Sequence, residues 1–369
     1  MGDYIRIFSG ESPNRINSEY DKIPYYKVEQ LNWCEKYLGE TPYLSQRGKN
    51  ILPEGCVVFS KRGAAILTNK VRMNLFPINI DTNLMGIKAD NSFILDQYLF
   101  YFILRARLNR IADTSTIPQI NNIHINPITI YVPSLAEQEI ITKFLALLDE
   151  RIATQRRLIE DFISLRRAIL QDAIKRGLSK KSWKFTTLND ILTERGERNS
   201  DGYDVCSVSV SEGVVNQIEY LGRSFAAKET RQYNVARYGD IIYTKSPTGS
   251  FPYGIVKRDT QKEPAAISPL YGVFVPKQDW IGMLLGYYFE SEVNTFNYLH
   301  PIIQKGAKNT INITNSGFLA NSVPLPSNES EASALAKCLD TITNKIVLEK
   351  SVLTHYTEQR EYLLSKMFV

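Results

Sequence analysis

EQEIITKFLALLDERIATQRRLIEDFISLRRAILQDA, residues 137–173, lays without a gap over EASALAKCLDTITNKIVLEKSVLTHYTEQREYLLSKM, residues 331–367. Glu137 falls on Glu331, an offset of 194 residues. In the first copy apolar positions recur at Ile141, Leu145, Leu148, Ile152, Ile159, Phe162 and Ile169, with Ala173 closing the run. In the second they recur at Leu335, Leu339, Ile342, Ile346, Leu353, Tyr356 and Leu363, closing on Met367. The steps follow four-three spacing, and the polar breaks match: Gln155 falls on Glu349, and Arg166 on Arg360. Such spacing, kept over about four heptads, argues for a coiled coil rather than an ordinary amphipathic helix. Each helix is expected to span about 33 residues, or about 50 Å at 1.5 Å per residue. Gly177, after Lys175-Arg176, is read as the C-cap of the first. With one helix mid-chain and the other at its end, antiparallel pairing is the simplest arrangement.

Working outward, each helix is preceded by a segment of mixed character. Gly55-Cys56-Val57-Val58-Phe59-Ser60-Lys61 parallels Gly239-Asp240-Ile241-Ile242-Tyr243-Thr244-Lys245. Both are short β-branched or aromatic runs behind a turn glycine, and both end in lysine. Asp3-Tyr4-Ile5 and Asp190-Ile191-Leu192 open the two segments in the same way. A polar loop precedes each helix, Thr114–Asn121 in one copy and Lys305–Asn312 in the other, followed by Val132-Pro133-Ser134 and Leu325-Pro326-Ser327. The expected class is α+β: two globular domains joined by two long antiparallel helices that form a coiled coil. The expected boundaries are 1–133, 134–177, 178–325 and 326–369.

Composition narrows the function. At 369 residues, 43% hydrophobic and 22% charged, the chain is an ordinary globular one with two or three units. Its net charge of +5 permits a polyanionic partner without demanding one. No apolar run approaches the roughly 18 residues of a membrane span, and Asp3 and Arg6 break any secretory signal. Cys34, Cys56, Cys206 and Cys338 are far apart, which fits a reducing cytoplasm rather than a zinc or disulfide framework. Catalytic motifs are missing: no phosphate-binding loop, no G-x-G-x-x-G before a helix and no G-x-S-x-G elbow. His124, His300 and His355 are isolated and read as structural, and Asn126-Pro127-Ile128-Thr129 reads as a turn. Nothing points to chemistry performed by this chain.

Pro133-Ser134-Leu135-Ala136-Glu137-Gln138-Glu139-Ile140-Ile141, followed by Leu148-Asp149-Glu150-Arg151-Ile152, resembles the conserved region of Type I restriction-modification specificity subunits. The two Gly-hydrophobic-Lys strands and Ser9-Gly10-Glu11-Ser12-Pro13-Asn14-Arg15 resemble that family too, and the repeated plan covers essentially the whole chain. The second copy departs from the pattern, reading Pro326-Ser327-Asn328-Glu329-Ser330-Glu331 without the Glu-Gln pair. The resemblance implies a noncatalytic subunit whose two target recognition domains each read one half of a split, asymmetric site on double-stranded DNA. It implies that the helix pair sets the unread spacer. It further implies two modification subunits carrying S-adenosylmethionine for adenine N6 methylation, and restriction subunits using ATP and Mg, with no cofactor or metal on this chain. A related methylation-cleavage system and a coiled-coil interaction scaffold are the rival readings.

Reading DNA requires phosphate contacts that position and base-edge contacts that specify. Arg15, Lys61, Arg62 and Lys245 are candidates for phosphates or guanine edges. Gln119, Asn121, Asn309 and Asn312 carry amides that pair bidentately with adenine. Thr116, Lys305 and Lys308 complete the two polar loops. The aromatic runs Tyr25-Tyr26 and Tyr287-Tyr288-Phe289 are expected in the core rather than as stacking platforms.

Overall fold

The structure, a computed structural model, describes residues 1–12, 16–17, 22–46, 48–114, 116–223, 229–305 and 311–368. Two compact units emerge: residues 1–157 with 351–369, and residues 158–350.

In the first unit, β1 (Ile5–Ser9), β2 (Val57–Ser60), β3 (Val71–Met73) and β4 (Leu84–Ala89) form an antiparallel sheet of order β1-β4-β2-β3. Val57 pairs with both Ile87 and Met73. All four β2 residues are buried, because both faces of the sheet are covered. Val57 and Phe59 face a core with Tyr98, Tyr101 and Ile103 of α1 (Asp96–Ala106). Val58 faces a second core with Phe8, Tyr26, Leu31 and Leu52.

Helix α2 runs from Leu135 to Ser179, 45 residues rather than about 33. Its start is fixed by a capping box: Ser134 N–H and Oγ donate to Glu137 Oε2 (2.9 and 2.7 Å), and Glu137 N–H donates back to Ser134 Oγ (3.3 Å). Gln138, fully buried, accepts from Leu95 N–H (2.8 Å) and donates to the carbonyls of Phe93 and Pro133 (2.8 and 2.9 Å). The Glu-Gln pair therefore begins the helix with one residue and ties it to the foot of α1 with the next.

The far end corrects the sequence expectation. Gly177 is inside α2, and the chain leaves the helix through Lys181, whose φ is +59°. A Cβ on Gly177 would lie 1.9 Å from Trp183 Cδ1, so the glycine makes room for an indole. Gly177→Ala should destabilise the second unit, to which Gly177 and Trp183 belong, by about 1–3 kcal/mol through overpacking, measured by chemical unfolding. Parental stability in that variant would mean that the indole does not press on this position.

The second unit repeats the first. After β5 (Trp183–Thr187) come β6 (Leu192–Glu194), β7 (Ile241–Tyr243), β8 (Val256–Arg258) and β9 (Gly272–Pro276), in the order β6-β9-β7-β8. That matches the first sheet strand for strand. Gly55 and Gly239, both at positive φ (+77° and +92°), turn the chain into β2 and β7. Ile241 and Tyr243 join a core with Phe274, Phe318 and Leu285 of α3 (Asp279–Tyr288), while Ile242 faces Val214, Ile267 and Val273.

Strand β10 (Ser322–Pro326), paired with β5, leads to α4 (Glu329–Met367, 39 residues). Here Asn328 Oδ1 accepts from Glu331 N–H (3.0 Å), replacing the serine cap of the first copy. Gln138 is replaced by Ala332, which is buried in the core.

Both long helices contribute to both units. In the first, α2 and α4 run antiparallel, with Arg360 donating to Asp149 Oδ1 (3.1 Å) and Leu145, Leu364 and Phe368 closing the core. In the second, Arg166 donates to Thr343 Oγ1 (2.5 Å), and Leu170 shares a core with Leu339. Moving from Asp149 to Arg166 takes the partner from Arg360 back to Thr343 by the same number of residues, as antiparallel helices require. Leu145, Leu148, Ile152, Ile159, Leu339 and Ile346 are buried; Ile141, Phe162, Ile169, Leu335, Ile342, Leu353, Tyr356 and Leu363 are half-buried. Tyr25, Tyr26 and Phe289 are core residues, with Tyr287 and Tyr288 packed at its margin.

Candidate nucleic-acid interface

In the first unit, the end of β2 is zipped to the loop before α2. Lys61 N–H donates to Asn83 O and Lys61 O accepts from Ile120 N–H, each at 2.8 Å. Arg62 bridges to Gln119, and Gly63 N–H donates to Pro118 O (2.8 Å). Gln119 also exchanges both backbone bonds with Asp113 (2.9 Å each). Residues far apart in sequence, Lys61 and Arg62 with Gln119 and Asn121, thus share one edge. Arg62, Thr116 and Asn121 are exposed; Lys61 and Gln119 are half-buried. Burial, and then the Arg62 charge, lower the Lys61 ammonium pKa, while Asp81 opposes the shift. Asn121 N–H donates to His124 Nδ1 (3.0 Å), opening a short helical turn, Asn122–Ile125. Exposed Ile117 gives the edge an apolar surface that thymine methyl groups can meet.

Asn83, not singled out in the sequence, sits beside Lys61 together with Asp81. Asn83 donates to Asp81 Oδ1 from N–H (2.7 Å) and from Nδ2 (2.8 Å). Their Asp-Thr-Asn turn was visible, but nothing local tied it to Lys61. Arg15 lies outside the described residues.

In the second unit, Lys245 follows β7 in the left-handed conformation (φ +57°). Gly254 lets that turn close, since a Cβ there would meet Lys245 N at 2.9 Å. Burial lowers the Lys245 pKa and the Glu194 carboxylate opposes it; Glu194 also accepts from Asn315 Nδ2 (2.5 Å). Gln304-Lys305 pairs with Ile311-Asn312, and Asn312 is exposed. Lys308 and Asn309 lie outside the described residues. No hydrogen bond among the described residues joins Lys245 to Asn312. The two loops also correspond at a different offset from the one read in sequence. Buried Ile120 precedes Asn121 and its helical turn, as buried Ile313 precedes Thr314, whose Oγ1 caps Asn315–Ala320. Asn312 therefore matches Gln119, not Asn121.

A second group was missed altogether. Lys36 Nζ donates to Tyr101 OH (2.8 Å), which donates to Asp149 Oδ2 (2.7 Å), the carboxylate that also holds Arg360. Burial pushes Lys36 down to about 8, with Asp149 opposing and Arg360 adding to the fall. These groups fasten the globular part of the first unit to its helices.

Two repeated α+β units, each with a central strand that runs out into a lysine, are built from one repeated sequence plan. Residues 1–161 match the family model described as Type I restriction modification DNA specificity domain. The whole chain is similar in fold to the Type I restriction-modification S subunit of M. genitalium: 14% identity, 100% of this chain and 94% of that chain, TM-score 0.57. It is equally similar to a chain from a solved structure on complex assembly and conformational transition of the type I R-M system: 14% identity, 99% and 95% covered, TM-score 0.57. No curated protein sequence matches significantly. The family match covers residues 1–161, under half of the chain, and the likeness of the whole chain to these two structures is one of fold. Among the described residues, no helix is long and apolar enough to cross a membrane.

If Lys61 and Arg62 meet phosphates, Lys61→Ala with Arg62→Ala should flatten the log-log salt dependence of DNA binding by up to about two. Fluorescence anisotropy across a salt series gives the slope. An unchanged slope would remove both residues from the interface.

Proposed function

We propose that this chain is the specificity subunit of a Type I restriction-modification complex, working in the cytoplasm and reading a split, asymmetric site on double-stranded DNA. The observation that carries the reading is the same four-stranded sheet built twice, strand for strand, on a shared pair of long helices. Residues 1–133 and 178–325 act as the two recognition domains, one per half-site, and the helices fix the spacer. Two modification subunits bring S-adenosylmethionine and methylate adenine at N6; restriction subunits add ATP- and Mg-dependent cleavage. This chain itself carries no cofactor.

A helix face supports partner docking. Ile140 (70% exposed), Phe144 (45%) and Leu147 (55%) form an uncovered apolar stripe on the first-unit half of α2. It borders a groove of about 780 Å³ lined by Leu148, Arg151 and Tyr356. Such a stripe suits an amphipathic partner helix.

The test is reconstitution with the modification subunits, followed by mapping of methyladenine. A two-part motif with a fixed spacer is expected, with no methyl transfer by this chain alone. A contiguous motif, or activity without partners, would overturn the proposal.

A further inference from the structure

The helix seam breaks its apolar pattern in the same way twice. Arg166 and Arg360 occupy equivalent positions in the repeat. Arg166 is 9% exposed; its Nη1 donates to Thr343 Oγ1 (2.5 Å) and its Nη2 to Glu290 Oε2 (2.6 Å). Arg360 Nη1 donates to Asp149 Oδ1 (3.1 Å). Thr343 and Asp149 are themselves equivalent in the repeat. Each also meets a tyrosine from the globular part of its unit: Tyr287 OH lies 3.0 Å from Thr343 Oγ1, and Tyr101 OH donates to Asp149 Oδ2 (2.7 Å). In both arginines the Nε is buried without a hydrogen-bond partner.

A buried cation with an unsatisfied N–H is a poor source of stability, and an apolar side chain of similar size often does better. A lone polar residue in an apolar seam does contribute register. Sliding α4 by one heptad against α2 shows how. In one direction Arg360 would come opposite Arg156, and Arg166 opposite Lys350, placing cation against cation at both ends. In the other direction they would face Thr142 and Ala336, leaving no carboxylate for Arg360 and no hydroxyl for Arg166.

We propose that Arg166 and Arg360 are the positioning residues that fix the register of the two helices, and through it the spacer length this subunit accepts. The inference rests on the function proposed above. A one-heptad slip moves one helix about 10.5 Å along the other, or about three base pairs of duplex.

The test is the reconstituted complex carrying Arg166→Met and Arg360→Met together. Thermal stability at or above the parent's is expected, with a second spacer, offset by about three base pairs, among the methylated sites. Asp149→Arg combined with Arg360→Asp keeps the pair with its polarity exchanged and should hold the parental spacer, whereas Arg360→Asp alone should not. Register is also read directly, without DNA, from disulfide formation between Leu145→Cys and Leu364→Cys in either arginine background. That crosslink should form fully in the parent and drop in the double methionine variant, while Leu145→Cys with Thr357→Cys, one heptad away, gains. An unchanged single spacer together with an unchanged crosslink would overturn the inference. If the parent gives no two-part motif, the proposed function fails, and the crosslinks still decide the register.

Discussion

On the proposed function, replacing residues 1–132 with the matching segment of a Type I specificity subunit is expected to change one half of the methylated site and leave the other half as it was. The described cores of the second unit, residues 158–350, contain no residue of that segment, so they should survive the exchange intact. The joint itself is tolerant. Gln138 holds the globular part through the Phe93 carbonyl and Leu95 N–H, backbone groups that a foreign segment also supplies. Side-chain fit matters more at Tyr98 and Phe102, whose rings lie 4.8 and 6.3 Å from that of Phe368, so the donor must be aromatic or large there. Each mismatched base pair costs about 1–3 kcal/mol, so a wholly different half-site should abolish methylation at the parental motif. The new motif, read from mapped methyladenine, should keep the parental second half. A change in both halves would mean that the units do not read independently.

Deleting residues 152–158 from α2 together with residues 351–357 from α4 should bring the same two half-sites about three base pairs closer. These two heptads lie opposite each other in the register set by Asp149 with Arg360 and Arg166 with Thr343, and both pairs are left in place. Ile159 then takes the place of Ile152, and the seam keeps its phase. Seven residues of helix are about 10.5 Å, and three base pairs of duplex are about the same length. Three base pairs also rotate one half-site by about 100° relative to the other. Affinity should therefore fall as the DNA twists to comply, and spacer length, not binding strength, is the readout. A complex that stays active with its parental spacer would show that the helices are not the ruler.

The helix pair was legible because a heptad seam writes itself into sequence at every turn. Its ends were less so. Residues 135–140 are mostly exposed and carry no seam residue, so the heptad pattern alone does not mark the first turns, and the start was read from Pro133-Ser134 instead. Gly177 shows how a local signal misleads: its spacing says helix stop, while its reason for being glycine is the indole of Trp183. The strands at Val57 and Ile241 stood out as β-branched runs buried on both faces. Strands of two residues, such as Leu44–Ser45 and Asn79–Ile80, are too short to carry a period. The candidate interface residues were nameable one by one, but their grouping was not. Arg62 meets Gln119 only through folding, and a lone Lys36 gives no hint that it will lie against Tyr101 and Asp149.

The division of the long helices between the units also bears on how the chain is made. The second unit is one unbroken stretch, residues 158–350, and can finish folding once its own residues have left the ribosome. The first cannot. Its core needs Leu364 and Phe368, which are synthesised about 200 residues after the last residue of its N-terminal part. At 5–20 residues per second, that is a wait of about 10–40 s. Throughout it, Tyr98, Phe102 and Leu145 lack the apolar partners that complete their burial. A chain stalled or cut before residue 351 therefore ends with its earlier-made unit unfinished and its later-made unit whole, and exposes an aromatic surface that chaperones and proteases recognise.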